Sequence, residues 1–201
     1  MTERLLESEA DPDPTRQFAA WWADVLASDQ PQPEAMALAT ADTEGRPSVR
    51  MVLLKGFDET GFVFYTNHGS RKGLELEANP SAALVLYWVD LHRQVRARGL
   101  VTRLSTAESE AYFRSRPRDA QLSAAASPQS EVVPDREWLE RRVAELETRF
   151  DGRDVPMPEA WGGYRLAPDE IEFWQGDPNR LHDRLRYRRG EDGWVIERLA
   201  P

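Results

Sequence analysis

The stretch SVRMVLLKGFDETGFVFYTN, residues 48–67, decides the fold. It holds two runs rich in Val, Leu, Phe and Tyr, Ser48 to Gly56 and Phe62 to Thr66, split by Asp58-Glu59-Thr60-Gly61. Branched and aromatic side chains suit a pleated, half-buried surface, so both runs read as strands. The Asp- and Gly-bearing segment between them reads as a hairpin loop, which makes the pair antiparallel. The pattern continues outward. Upstream, Ala35 to Ala41 is a small apolar strand followed by a turn at Glu44-Gly45-Arg46-Pro47. Downstream, strands are predicted over Ala82 to Val89, Arg93 to Leu104, Gly163 to Leu166, Glu170 to Gln175, Leu181 to Arg188 and Trp194 to Leu199.

Helices interrupt this series. One begins at Thr15, with Phe18, Trp22, Val25 and Leu26 at helical spacing. A short one, Ser70 to Asn79, is stopped by Pro80. A third opens on Ser105 and Glu108 at capping-box spacing and runs to about Arg114. Asp135 caps a longer one whose apolar stripe is Trp138, Leu139, Val143, Leu146 and Phe150. Trp22 and Trp138 therefore read as core. Many short, locally connected strands with a few peripheral helices predict an α+β, mainly antiparallel barrel. Residues 1–14, acidic and carrying Pro12 and Pro14, read as a disordered, solvated tail before a single domain over 15–201.

The chain is 40% hydrophobic and 30% charged, a soluble globular composition without an apolar run of membrane-spanning length. Its net charge of −9 speaks against nucleic acid, which is held by a broad basic surface. With no cysteine and no signal-like start, the expected compartment is the cytoplasm. Three histidines without metal-ligand spacing give no metal site. Positive charge nevertheless gathers at Ser70-Arg71-Lys72, Arg114 to Arg118 and Arg180 to Arg189, which points to small anionic ligands in local pockets.

Arg71 and Lys72 stand in the first turn of a helix, where cations oppose the macrodipole. That arrangement is reasonable when a phosphate sits at the helix start. Alternation places Arg50 and Lys55 on opposite faces of their strand. In Arg180-Leu-His-Asp-Arg-Leu-Arg it places Arg180, His182, Arg184 and Arg186 on one face, with Leu181 and Leu185 turned to the core. Stacked like charges repel, which favours an anion site around Arg180, His182 and Arg184. Trp174 suits either a flat cofactor or plain core packing.

The segments RMVLLK (50–55), VFYTNHGSRKGLELEANP (63–80), RQV (93–95), YFRSRPRDAQ (112–121), WGGYR (161–165) and IEFWQG with RLHDRLRYRR (171–189) resemble the pyridoxine/pyridoxamine 5′-phosphate oxidase family. The likeness runs in order from about Phe18 to Pro201. It implies an FMN-binding split β-barrel, a homodimer with FMN between the subunits. The implied flavin contacts are Arg50, Met51, Val52, Leu53, Leu54, Lys55, Tyr65, Thr66, Arg71, Lys72, Gln94, Gln129, Ser130, Trp174 and Arg184. Arg71 and Lys72 would hold the FMN phosphate. Lys55, Tyr112, Arg116 and Ala120 match the positions that hold the substrate phosphate, and Arg180 and His182 those over the pyridine ring. The implied reaction passes a hydride equivalent from substrate C4′ to flavin N5, with O2 giving hydrogen peroxide and the amine releasing ammonia. Ala120 stands where the family commonly has serine, which predicts weaker substrate binding unless water or Ser123 compensates. The segment Ser123-Ala-Ala-Ala-Ser-Pro reads as a small-featured lid loop. Alternatives are an oxidase of a phenazine-type precursor, a deazaflavin-dependent reductase, and a non-catalytic flavin or pyridoxal-phosphate carrier.

Overall fold

A computed structural model describes residues 4–201. The antiparallel sheet is built from β1 (Ala35–Ala41), β2 (Pro47–Leu53), β3 (Gly56–Asp58), β4 (Gly61–Asn67), β5 (Ser81–Trp88), β6 (Arg93–Arg103), β7 (Trp161–Gln175), β8 (Asp183–Gly190) and β9 (Gly193–Arg198). Its order is β2-β1-β5-β6-β7-β4-β3, with β8 and β9 added beside β7. The sheet curls into a half-barrel around one core. Period-two alternation turns Met36 and Leu38 of β1, Leu84, Leu86 and Trp88 of β5, and Val95 of β6 inward. The helix α1 (Pro14–Leu26) closes the concave side. Its Phe18 meets Phe57 edge-on at 4.6 Å and Phe62 at 5.1 Å.

Strand β7 is where sequence and structure differ most. The two strands expected at 163–166 and 170–175 are one strand of 15 residues. Its first half pairs with β4 and its second with β8, while β6 runs along both. Pro168, which reads as a breaker, is absorbed by a register shift between Arg98 and Gly99. Gly99 is needed there, because a Cβ would stand 2.0 Å from the Ala167 carbonyl oxygen.

Other boundaries also move. The run expected over Ser48 to Gly56 breaks after Leu53: Leu54 turns into the core, and the Leu54 and Lys55 amides donate to Glu34 O and Val63 O. Leu181 is 70% exposed instead of facing the core, since β8 starts only at Asp183. The supposed lid is the last part of a helix, α4 (Arg118–Ala126), packed beside α3 (Thr106–Ser115) on a second, smaller core of Phe113, Leu122, Val155 and Trp161. The capping box of Ser105 and Glu108 opens α3 as expected. Asp135 caps α5 (Arg136–Arg149) through Trp138 N, but none of that helix is buried. Trp138 lies half-covered under Arg142, so it is no core residue. Trp22 packs, partly buried, on the main core, and Trp21 is the buried one.

The tail expectation fails for the described part of 1–14. Leu5 is buried, and its amide donates to Asp183 Oδ2. Arg198 binds Glu7, Asp183 and the Leu5 carbonyl together. Tyr187 donates its hydroxyl to Asp11 O. Complementary charge, invisible to local composition, docks this acidic segment on the C-terminal hairpin. Residues 1–3 lie outside the described ones.

Candidate functional site: a cationic cleft between the half-barrel and two helices

A cleft of about 680 Å³ opens where β2 and β4 meet α3 and α4. Of the sequence-predicted residues, Met51, Val52, Leu53, Lys55, Tyr65 and Thr66 line it from the sheet. Lys72 and Gln129 join them, as do Tyr112, Arg116 and Ala120 from the helical side.

Lys72 enters from the start of α2 (Arg71–Ala78), whose N-cap Ser70 accepts from Gly73 N. Gly73 lets the helix press on the preceding loop, since a Cβ would stand 2.1 Å from His68 O. The Lys72 ammonium is buried and donates to three neutral oxygens: Thr66 Oγ1 at 3.0 Å, Gln129 Oε1 at 3.0 Å and Ser70 Oγ at 3.3 Å. Burial, then the nearby Arg50 charge, pushes its pKa down, against a smaller upward pull from Glu75. A buried cation hydrogen-bonded only to neutral groups is what an anionic phosphate would satisfy.

A second part of the lining is aromatic. Tyr65 and Tyr112 stack with centroids 3.9 Å apart, and Trp161 lies nearly parallel to both. Arg116, just past the end of α3, sits over Trp161 and Phe113. Its Nη1 is enclosed without a hydrogen-bond partner, and burial pushes its pKa down. Burial likewise pushes the Tyr65 and Tyr112 phenols up, which keeps both as neutral donors. Lys55 stands 4.0 Å from Glu34. Ala120 and Ser123 both face the cleft, three residues apart on α4.

The remaining predicted residues are elsewhere. Leu54 is in the core. Arg50 faces away, donating to Leu38 O and Thr40 Oγ1 and pairing with Glu75. Arg71 is also held by Glu75, at 2.9 Å, and borders a separate hollow that includes Ser130, a residue with φ of 77°. Glu75 itself is buried. Burial alone would raise its pKa, but hydrogen bonds from Ser48, Thr40, Arg71 and Arg50 bring it to about 2.

Gln94, Trp174 and Arg184 form one cross-strand row over β6, β7 and β8. Glu172 grips Arg184 at 2.8 and 3.1 Å. The His182 ring lies 4.7 Å from Trp174, and its Nδ1 accepts from Asp177 N. Arg180, exposed and with φ of 66°, precedes the strand, so it does not share the predicted strand face with Arg184 and Arg186. None of these five lines the cleft. Trp174 stands thirteen residue steps beyond Trp161 on β7, about 43 Å of strand contour at ~3.3 Å per residue. The cleft and the Trp174 row are thus two separate groups toward opposite ends of β7. Trp161, Asn67, Ser115 and Ser127 also line the cleft and were not predicted; Trp161 lies in the WGGYR segment that carried the resemblance.

Fold and cleft together define a split-barrel protein with a cationic, aromatic-walled cleft. The chain belongs to the pyridoxamine 5′-phosphate oxidase family: residues 24–150 match the family described as pyridoxamine 5′-phosphate oxidase, and residues 161–201 match the pyridoxine 5′-phosphate oxidase C-terminal dimerisation region. It is an enzyme of that family. It is 60% identical over 197 residues to the pyridoxine/pyridoxamine 5′-phosphate oxidase of Rubrobacter xylanophilus, covering 98% of this chain and 91% of that one. It is 50% identical over 199 residues to the enzyme of the same name from Acaryochloris marina, covering 99% and 91%. Among solved structures it is similar to PhzG from Burkholderia lata in complex with tetrahydrophenazine-1-carboxylic acid, with TM-score 0.94 and 34% identity over 100% and 99% of the two chains. A pyridoxamine 5′-phosphate oxidase-related, FMN-binding protein from Nostoc punctiforme shares the fold, with TM-score 0.73 and 20% identity over 94% and 98%.

Proposed function

We propose that this chain oxidises pyridoxine 5′-phosphate and pyridoxamine 5′-phosphate to pyridoxal 5′-phosphate, with FMN as cofactor and O2 as acceptor, as a homodimer. The observation that carries the reading is a pair of cations, the buried Lys72 and the half-buried Arg116, that wall one cleft and hydrogen-bond to no carboxylate among the described residues. Two anion-seeking groups in one cleft suit a phosphorylated cofactor beside a phosphorylated substrate.

FMN fits on that ground. Lys72, Thr66 and Gln129 would hold its phosphate, with Arg50, Arg71 and Ser130 behind them, and the Met51–Lys55 backbone and Tyr65 would flank the remainder. Gln94, Trp174 and Arg184 complete the set from the second copy. The exposed apolar side chains of β2, Val49 at 69% and Met51 at 63%, lie at the edge of the sheet and suit coverage by that copy. Bound FMN supplies the two-electron acceptor whose reoxidation by O2 yields hydrogen peroxide.

The side chains bind and orient. Lys55, Tyr112 and Arg116 would fix the substrate phosphate, so that the carbon losing hydride is held at a set distance from the clamp. Ala120 leaves one hydrogen bond out of that clamp. Because His182 Nδ1 accepts a backbone N–H, the neutral ring carries its proton on Nε2 and is a donor toward a ligand. Arg180 adds positive charge where the reacting end of the substrate would lie. The amine substrate's oxidised imine then hydrolyses and releases ammonia.

The test is the visible spectrum of the purified protein, followed by pyridoxine or pyridoxamine 5′-phosphate in air with peroxide and pyridoxal phosphate monitored. A yellow protein that forms both is expected. A yellow protein that forms neither refutes the oxidase, and a colourless one that FMN cannot reconstitute refutes the cofactor. The likeness to PhzG favours one other reading, oxidation of a phenazine-type precursor; consumption of such a compound instead of the phosphate esters would move the assignment there.

A further inference from the structure

We infer that Trp161 is a positioning residue, the platform that fixes the Arg116 guanidinium for an incoming phosphate ester; this rests on the reading of the cleft given above. Trp161 opens β7 and is buried at 6% exposure. Its ring is clamped, with Phe113 edge-on at 5.0 Å and Tyr65 nearly parallel at 5.4 Å. The backbone behind it is equally fixed. A Cβ on Gly162 would stand 2.7 Å from the His68 ring, and one on Gly163 2.6 Å from Leu104, so the start of β7 lies hard against its neighbours.

Arg116 has the opposite character. Its Cζ lies 4.9 Å from the Trp161 centroid and 5.7 Å from that of Phe113. Nη1 is enclosed with no acceptor, and no carboxylate pairs with the guanidinium among the described residues. Arg116 is half-buried, and enclosing even part of a cation without an anion is costly. Here the electron-rich ring faces offset part of that cost, and Trp is the strongest such platform. The guanidinium thus lies over the rings and also lines the cleft, where a ligand can meet it. Trp161 touches no reacting atom. Its effect is to choose the orientation in which Arg116 waits.

The test uses flavin-loaded protein and four variants: Trp161→Phe, Trp161→Leu, Arg116→Gln, and Trp161→Leu combined with Arg116→Gln. Inorganic phosphate binding is measured by calorimetry, beside KM and kcat for pyridoxine 5′-phosphate and competition by unphosphorylated pyridoxine. Trp161→Leu should weaken phosphate binding and raise KM about tenfold, with Trp161→Phe intermediate. Its kcat should change by no more than about twofold and pyridoxine competition should be unaffected, because only the phosphate clamp is disturbed. On Arg116→Gln the Trp161 change should add nothing to the phosphate effect, as expected for residues acting as one unit. Phosphate affinity equal to wild type in Trp161→Leu, or in Trp161→Phe if the leucine variant does not fold, overturns the inference. If Arg116→Gln itself leaves phosphate affinity intact, the reading of the cleft fails instead.

Discussion

If each active site joins the cleft of one subunit to the Arg180 segment of the other, two inactive variants must rescue one another. The perturbations are Arg116→Gln, which removes the cleft cation whose Nη1 has no hydrogen-bond partner, and Arg180→Asn. Asparagine is chosen because Arg180 has φ of 66°, a left-handed conformation that Asn tolerates and Ala does not. Each homodimer of either variant lacks an essential group in both sites. In a co-expressed mixture, half of the dimers are mixed. In a mixed dimer one site collects both substitutions, and the other collects neither. A two-fold symmetric dimer therefore recovers about one quarter of wild-type activity per subunit. The assay is peroxide release from pyridoxine 5′-phosphate by differently tagged chains purified through both tags, in which case about half is recovered. The reason is the distance between the two groups: Trp161 and Trp174 lie about 43 Å apart along the contour of β7 at ~3.3 Å per residue, and the Arg180 segment lines none of the cleft. Recovery no greater than the sum of the two parents would refute a shared site and require both half-sites to meet within one chain.

Three further outcomes are expected. Lys72→Met should weaken FMN binding by about ten- to a hundredfold, the equivalent of one charged hydrogen bond at ~1.5–3 kcal/mol; flavin fluorescence titration reads it, and unchanged affinity would place the phosphate elsewhere. Ala120→Ser should lower KM for the phosphorylated substrate, and an unchanged or higher KM counts against the missing hydroxyl. Glu75 sets an acid limit on stability: its pKa drops from 4.5 to about 2 on folding, so its contribution is full above pH 4.5 and is lost as pH falls toward 2. The shift is worth at most about 3 kcal/mol. Urea unfolding of wild type and Glu75→Gln between pH 7 and 3 should show a shallower acid loss in the variant; parallel curves would discount Glu75.

Local signals survived the move from sequence to structure, and long-range ones did not. The Ser105 and Glu108 capping box and the Asp135 cap involve residues within one turn, so spacing alone reveals them. The hairpin around Asp58 and Gly61 is equally local. By contrast, β7 looked broken at Pro168 because the compensating bulge lies on another strand, at Gly99. Helix α4 was missed because its N-cap position is Pro117, which makes no side-chain cap bond. The basic strand was phased from Arg180, but a left-handed residue there delays the alternation to Asp183. For the site, the place of Lys72 in the cleft is legible from its position at a helix start, whereas its neighbour Arg71 is held by Glu75 outside it. Spacing alone could not have found Gln129, which reaches Lys72 across 57 residues of sequence. Nor could it show that the Trp174 row lies off the cleft, since that depends on how the sheet is ordered.

The unbroken length of β7 makes occupancy and association one linked equilibrium in the proposed dimer. A strand that carries cleft residues at its head and the Trp174 row near its foot presents each copy with half of two pockets. A ligand seated in either pocket bridges the copies, and a ligand that binds only the assembled form stabilises that form by mass action. Dilution then releases flavin as the subunits part, and added flavin lowers the concentration at which they part, each by the same factor.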